Sequence, residues 1–568
     1  MCRRPEFLFA LLAVTTFSVA ATPWSGSDVA RASAADAEVL KVSGLASGPA
    51  TGPNPGMSSS LDTQLAEQWT RFAAARKALV EKIGCREGQL PLSRDVWEKM
   101  VGSSAWTPKL LAELRSRHLS LIEASRLTFV RESAISLNKL RGDAQKTARF
   151  CAAFPKGAML HVHPSGTVSV ASALSILRAS DPVIARDKIL RAVSRPEARF
   201  NACELGLLKT LPKEKRFSKL THNSQLLLAE LAVLPRKAAQ GFVEFQSKFS
   251  YIEALGESSD FDPLPLLMKD FLRRAKGNRV SYVELTRSCP ATADALSRAD
   301  LESRTYAREN GVGIGVNCSF NRTAETAHVA AKARAFFAVL LANQKAGIET
   351  QSVRGIDLLG DEDGADNPTL DVSALGSQAV YACYLEKRAQ GLELKATMHA
   401  GELGEPRNVR DALIMGVNRL GHAVKLADDP VALEYARINK IPVEVNLVSN
   451  LRLGAVQRLS EHPFLSYLRL GIPVSLSTDD EGILETDIDN ECRQAIAHTD
   501  ITYAELKLMS LNSISSSFAT EEEKAKRLEQ LETDLRLFET GWAAGKLAAP
   551  GKPRVASEAA NLRHNPCF

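Results

Sequence analysis

No stretch of the 568-residue chain after its first residues reaches the roughly 18 to 20 consecutive apolar positions that a membrane-crossing helix needs, so no spanning helix is expected. Lys and Arg never form a block of five or six, and 71 basic against 66 acidic side chains leave a formal charge of only +5. A nucleic-acid partner, which requires a phosphate-neutralising field, is therefore not expected. The nine cysteines include no Cys-x-x-Cys, which argues against a thiolate zinc site and against a thioredoxin-like redox pair. There is no Gly-x-Ser-x-Gly nucleophile elbow and no repeat at solenoid periods. What remains is an ordinary globular composition, 45% hydrophobic and 24% charged. The length allows three or four domains of roughly 150 residues, or one barrel domain with extensions.

Arg3 and Arg4 precede an apolar run from Phe7 to Ala21, and the small residues Ser18 and Ala20 suit cleavage after Ala20 or Ala21. Residues 1–21 thus read as an export signal, and the mature chain is expected in the periplasm or outside the cell. Eight cysteines then remain, in a compartment that permits disulfides. One or two bridges are expected, with a pairing that local spacing does not reveal. Residues 22–60, rich in Ala, Ser, Gly and Pro, read as a flexible leader. Residues 61–154 carry Trp69, Phe72, Leu79 and Ile83 near helical spacing and read as a helical pre-domain. Residues 155–545 form the main domain, and 546–568 a tail.

Within the main domain, eight short apolar runs alternate with polar or helical sequence: 157–163, 280–286, 312–318, 353–359, 394–399, 419–424, 441–448 and 472–477. That alternation predicts an α/β fold, a closed (β/α)8 TIM barrel with an N-terminal helical extension. The gap from Pro164 to Arg279 is too long for one crossover helix and predicts extra helices after the first strand.

The rare polar residues fall at the ends of these runs. His161 and His163 end the first, Gly360 and Asp361 follow the fourth, and His399 and Glu402 end or follow the fifth. His422 lies in the sixth, and Asp479 and Asp480 follow the eighth. The C-terminal ends of barrel strands converge on one face, so residues far apart in sequence meet there. A spacing of two on a strand sends both imidazoles of His161-Val162-His163 to the same side. With His399 and Asp479 they supply three imidazoles and a carboxylate, a donor set suited to one zinc or similar divalent ion. Glu402 beside such an ion suits general acid and base work. The acidic run from Asp361 fails as a calcium loop, because its twelfth position is Val372. His118, His222, His328, His462, His498 and His564 stand away from the strand ends and read as structural or surface residues.

Taken in order, Lys156-Gly157 with His161-Val162-His163, Gly355-Ile356-Asp357-Leu358-Leu359-Gly360-Asp361-Glu362, His399-Ala400-Gly401-Glu402, Leu420-Gly421-His422, Ser477-Thr478-Asp479-Asp480 and Ser516-Ser517-Phe518 resemble the adenosine deaminase family of metal-dependent hydrolases. The export signal, the pre-domain and Ile441-Pro442-Val443-Glu444-Val445 with Ser449-Asn450 look closest to its secreted, growth-factor-like branch. The resemblance implies one zinc per chain on His161, His163, His399 and Asp479, and a proton shuttle to purine N1 at Glu402. It further implies that His422 orients the attacking hydroxide, that Asp480 bonds purine N7 and that the backbone N–H of Gly360 faces N3. The substrate would be adenosine or 2′-deoxyadenosine, and the product of adenosine would be inosine.

The chain departs from the family where relatives carry an acidic residue just after the His-x-His and use it to hold the ribose. Here Pro164 and Ser165 stand there, and a hydroxyl is the weaker partner for a sugar. A deaminase of another 6-aminopurine, or another amidohydrolase, is the neighbouring reading. A secreted adenosine-binding or signalling protein, with the pre-domain making a receptor or homodimer contact, is the distant one.

Overall fold

The structure, a computed structural model, describes residues 59–546 except 90, 103–105, 194–199, 201, 235–241, 258–263, 349 and 363–371. The export signal, the leader up to residue 58 and the tail beyond residue 546 lie outside the described residues. No helix among the described residues is long and apolar enough to cross a membrane.

Among the described residues ten strands occur in chain order: β1 (Gly157–Val162), β2 (Val183–Ala185), β3 (Glu214–Arg216), β4 (Val280–Arg287), β5 (Gly313–Asn321), β6 (Val353–Leu359), β7 (Lys395–Ala400), β8 (Arg419–His422), β9 (Val443–Val445) and β10 (Val474–Leu476). Eight of them pair in the order β1-β4-β5-β6-β7-β8-β9-β10, each pairing parallel. Helices run between the barrel strands, so the expected (β/α)8 barrel is what the chain forms. Its two ends meet through a single parallel bridge, Val162 to Asp479. The seam is stitched further by Ser477 Oγ, which accepts from the backbone N–H of Leu160 (2.8 Å) and His161 (3.1 Å).

The seventh and eighth expected runs are longer than the strands that form, because Pro442 and Pro473 have no N–H to give a ladder and stand just before β9 and β10. After β9 the chain turns at once into the helix Leu447–Arg452. The segment between β1 and β4 holds the antiparallel pair β2–β3 and several helices. These pack on an apolar cluster of their own that includes Leu174, Ile189, Phe217, Leu228 and Tyr251.

The N-terminal helices share the barrel's core. Phe72 and Leu79 of the helix Ser59–Lys82, Ile83 just after it, and Trp97 of Arg94–Val101 belong to the same continuous apolar cluster as the strands. Arg76 Nε donates to the carbonyl of Ile414 at 2.8 Å, and Trp97 Nε1 donates to Asp411 Oδ1 at 2.8 Å.

Burial pushes the Asp411 carboxyl up to about 7 from its ordinary 3.8, against the lowering effect of the Trp97 bond. The folded state therefore keeps a proton that the unfolded chain has already lost, so stability falls as pH rises from about 4 to about 7 and is level above. The loss is on the order of 4 kcal/mol at about 1.36 kcal/mol per unit. Asp411→Asn keeps an acceptor for Trp97 and cannot ionise. Urea unfolding at pH 5 and pH 8 is expected to show the variant better off relative to the parent at the higher pH than at the lower; an equal difference at both would refute the assignment.

The expectation of one or two disulfides was too low. Cys85–Cys383, Cys151–Cys492 and Cys289–Cys318 are bridged, and Cys203 is disulfide-bonded as well. Two of these pairs join cysteines 298 and 341 residues apart, which only the closed barrel brings together.

Candidate active site

Every polar residue singled out at a strand end lies at the C-terminal mouth of the barrel. His161 is the fifth residue of the fully buried β1, and His163 follows one residue beyond that strand. His163 Nε2 lies 3.2 Å from Asp479 Oδ1 and 3.3 Å from His399 Nε2. His161 Nε2 lies 3.5 Å from the same Asp479 oxygen. His163 thus touches both His399 and Asp479, and His161 the same Asp479 oxygen, while the four donors that lie closest as a set are His161, His399, His422 and Asp479. The second Asp479 oxygen accepts from Ser449 Oγ at 2.7 Å, which fixes the carboxylate plane.

The far nitrogens of two of these rings are held by buried carboxylates. His161 Nδ1 meets Glu444 Oε2 at 2.7 Å, and His399 Nδ1 meets Asp357 Oδ1 at 3.0 Å. A carboxylate at Nδ1 keeps the proton there and leaves the Nε2 lone pair free to face inward. Burial opposes ionisation of Asp357, yet the adjacent His399 holds its carboxyl well below the usual range. Among the described residues, His161 Nε2 is buried without a hydrogen-bond partner. Unpartnered lone pairs, an ionised aspartate and no thiolate together fit a divalent cation. The group His161, His399, His422 and Asp479, and the group His163, Asp479 and Asp480, each bring their donor atoms close enough to hold a metal ion.

Glu402 stands beside this cluster in the turn after β7. Glu362 accepts from the backbone N–H of Gly401 at 2.7 Å and of Glu402 at 3.2 Å, and from Asn408 Nδ2 at 3.1 Å, so one buried carboxylate sets the turn. Gly401 takes φ +68°, a conformation that side chains resist. Burial first, then the charges of Asp479 and Glu362, hold the Glu402 carboxyl well above its ordinary range. Asp480 is raised too, by burial and then by Asp479. One oxygen of each, Glu402 Oε1 and Asp480 Oδ1, has no hydrogen-bond partner among the described residues. The Asp480 carboxylate fills the place where a Cβ on Gly166 would stand, so glycine is required there.

His422 ends β8 with φ +61°, Ala423 follows at φ +50°, and Asp479 has φ +57°. Three non-glycine residues in the left-handed region at one mouth are strained backbone of the kind that collects at functional sites. Gly360 follows β6 at φ +103°. Ser165 is exposed on the short turn Pro164–Thr167, directly after His163.

Reading the strand ends missed the supports: Asp357, Glu444, Glu362, Asn450 and His462. A signal for the first two was present, since each is a lone carboxylate inside an apolar strand run. Glu481 pairs with Arg274 Nη1, which explains the acidic residue after the Asp479-Asp480 pair.

A model of the family described as adenosine deaminase matches residues 224–534. His161 and His163 lie upstream of that match and are joined to it by geometry. An adenosine deaminase of Enterococcus faecalis is 32% identical over 175 residues, which is 30% of this chain and 48% of that protein. The adenosine deaminase of Serratia proteamaculans is 33% identical over 138 residues, 24% of this chain and 42% of that protein. The chain therefore matches under half the length of these curated relatives. Among solved structures, an amidohydrolase from Burkholderia ambifaria with bound zinc is 21% identical, with a TM-score of 0.47 over 70% of this chain and 94% of that one.

Proposed function

The chain belongs to the adenosine deaminase family, and from that premise we propose that it is a zinc-dependent hydrolase that converts adenosine to inosine and ammonia and also accepts 2′-deoxyadenosine. The observation that carries this reading is the pairing of two buried carboxyls, Glu402 and Asp480, each with an unpartnered oxygen, beside a four-donor cluster. Ester or amide hydrolysis gives the second carboxyl no duty, whereas a purine ring has two nitrogens to be met.

His161, His163, His399 and Asp479 would hold the zinc. When bound, zinc supplies a water acidified toward neutrality, a nucleophile at ordinary pH. The residues of the chain do the rest. Glu402, kept protonated by its surroundings, gives its proton to ring N1 as water oxygen bonds to C6. Of the two protons the water gives up, one passes to the amino nitrogen and one restores Glu402; the C6–N bond then breaks and ammonia leaves. Asp480 bonds N7, Gly360 N–H faces N3, and His422 orients the attacking oxygen. One zinc per chain is expected in the purified protein, and His163→Ala should remove most of it, because a three-donor remnant lacks one of its close nitrogens. Metal analysis checks this; a variant that keeps full zinc would refute the ligand set.

The loss of adenine absorbance when enzyme is added separately to adenosine, 2′-deoxyadenosine, adenine and AMP tests the reaction itself, and no change with any of them would overturn it. The sugar requirement is expected to be loose. Ser165 offers a neutral hydrogen bond worth about 0.5 to 1.5 kcal/mol against roughly twice that for a charged partner. We expect kcat/KM for 5′-deoxyadenosine within about tenfold of adenosine, a factor of ~1.4 kcal/mol; a drop on the order of a thousandfold would show that a carboxylate elsewhere holds the ribose. Preference for adenine or another 6-aminopurine is the second reading, favoured by the same exposed Ser165. Export is part of the proposal and is supported by the bridged cysteines, since disulfides persist in oxidising compartments.

A further inference from the structure

His422 has two nitrogens, and which one carries the proton decides what it can do at the mouth. Its Nε2 points toward the site, 3.9 Å from Asp479 Oδ2, and has no hydrogen-bond partner among the described residues. Its Nδ1 has two neighbours, Asn450 Nδ2 at 2.9 Å and Glu402 Oε1 at 3.4 Å. A proton on Nδ1 would tie the ring to Glu402 and leave Nε2 a bare acceptor. A proton on Nε2 would present a donor to the site and leave Glu402 free.

The surroundings decide between these forms through a chain of contacts whose first member is unambiguous. The backbone N–H of Phe464 points at His462 Nδ1, 3.3 Å away. A backbone N–H can only donate, so His462 Nδ1 is an acceptor and the proton of the neutral ring sits on Nε2. His462 Nε2 meets Asn450 Oδ1 at 3.0 Å, and as a donor it requires an oxygen there. That contact orients the amide, whose other end, an NH2 group, then faces His422 Nδ1 at 2.9 Å. His422 Nδ1 must accept, and the proton of the neutral ring goes to Nε2. All three side chains are buried, so water does not compete for these bonds. Burial also pushes the His462 imidazole down to about 3, so it stays neutral at any working pH.

We propose that His462 and Asn450 are positioning residues that lock His422 with its proton on Nε2, so that His422 is a hydrogen-bond donor to the reacting oxygen and Glu402 keeps its proton for the substrate. The consequence for activity rests on the deaminase reading above; the lock itself does not. In a bare pocket the Nδ1 proton would find Glu402 Oε1, and two functional groups would be lost to each other. The Asn450 amide removes that choice by occupying Nδ1 with a donor.

The test is tautomer-resolved 15N NMR of the zinc-loaded enzyme carrying 15N-labelled histidine, with the His422 signals assigned by their loss in His422→Gln. In the parent protein, His422 and His462 should both show a protonated Nε2 and a bare Nδ1. Asn450→Asp is nearly isosteric but offers oxygen where the amide offered N–H, so the His422 proton should move to Nδ1. Zinc content should stay at that of the parent, and kcat should fall by about thirtyfold or more with KM changed less than about threefold. His462→Leu, which frees the amide to turn, should give both tautomers of His422. His462→Gln, whose carbonyl accepts from Phe464 and whose amide donates to Asn450, should restore one. A parent His422 protonated on Nδ1, or an Asn450→Asp spectrum in which Nε2 keeps the proton, would overturn the lock. If Asn450→Asp does not fold, the parent spectrum and the His462 pair decide alone. A correct tautomer pattern in a protein that deaminates none of the purines would sink the deaminase reading and leave the lock standing.

Discussion

Glu402→Gln is expected to fold, to retain its metal and to lose turnover by a factor of a hundred to ten thousand or more, because the only change is the loss of the proton that ring N1 must receive. The amide is the same size, and the backbone N–H groups of Gly401 and Glu402 still donate to Glu362, so the turn should hold its place. Substrate affinity should change far less than kcat, since the lost interaction develops as the C6–O bond forms. Steady-state kinetics with metal analysis separates the cases. A kcat within a few fold of the parent would move the acid role to another group, and a matching loss of zinc would make Glu402 a structural neighbour of the ligands.

Arg419→Met is expected to destabilise the protein by roughly 3 to 5 kcal/mol, the range for breaking a buried ion pair by removing one partner. Arg419 is fully buried on β8, where its guanidinium bridges Glu284 of β4 and Glu444 of β9. Its Nη1 donates to the carbonyl of Ser516 at 2.9 Å, and its plane stacks on the Phe518 ring, 3.6 Å from the centroid. Removal leaves two carboxylates in a dry interior, and one of them, Glu444, also holds His161 Nδ1. Glu444 would take up a proton, and His161 would lose the charge that orients it. Urea unfolding should report the loss of stability, with a lowered zinc affinity beside it. Arg419→Lys should recover little, because one ammonium cannot reproduce the planar fork that reaches both carboxylates. A variant of unchanged stability would mean that water reaches this part of the barrel.

The contrast between these two sites explains what was legible in the chain. Barrel strands are short apolar runs with their reactive residues at the ends, so His161, His163, His399, His422 and Asp479 could be placed on a shared mouth from sequence spacing and the rule that strand ends converge. The supporting groups are legible only in three dimensions. Asp357 and Glu444 look like accidents in apolar strands until β6 with β7, and β9 with β1, put each beside a histidine 42 or 283 residues away in sequence. His462 carries no local sign of its task, and reads as a structural histidine because its partner Asn450 lies a helix and a turn before it. The disulfides fail for the same reason, since a pair separated by 341 residues has no sequence signature. The short β9 and β10 were overextended because period-two apolar patterning continues into the helix and loop beyond them.

The seam where β1 meets the end of β10 has a further consequence through Cys151 and Cys492. One cysteine lies in the helix Ala144–Ala153 that feeds β1, and the other in Ile488–His498, just after Asp479 and Asp480. The bridge turns everything between them into a macrocycle with two linear ends attached. A protease that nicks the chain between 164 and 279 therefore opens this ring without releasing either half, and Cys85–Cys383, which spans the same segment, joins the halves a second time. His161 and His163 stay tethered to Asp479 at an effective concentration set by the short stretches of chain on either side of the bridge instead of by diffusion. A clipped molecule would run as one species until reduced and would still carry its histidines and aspartate together. Durability of this kind is written into connectivity instead of into hardness of the fold.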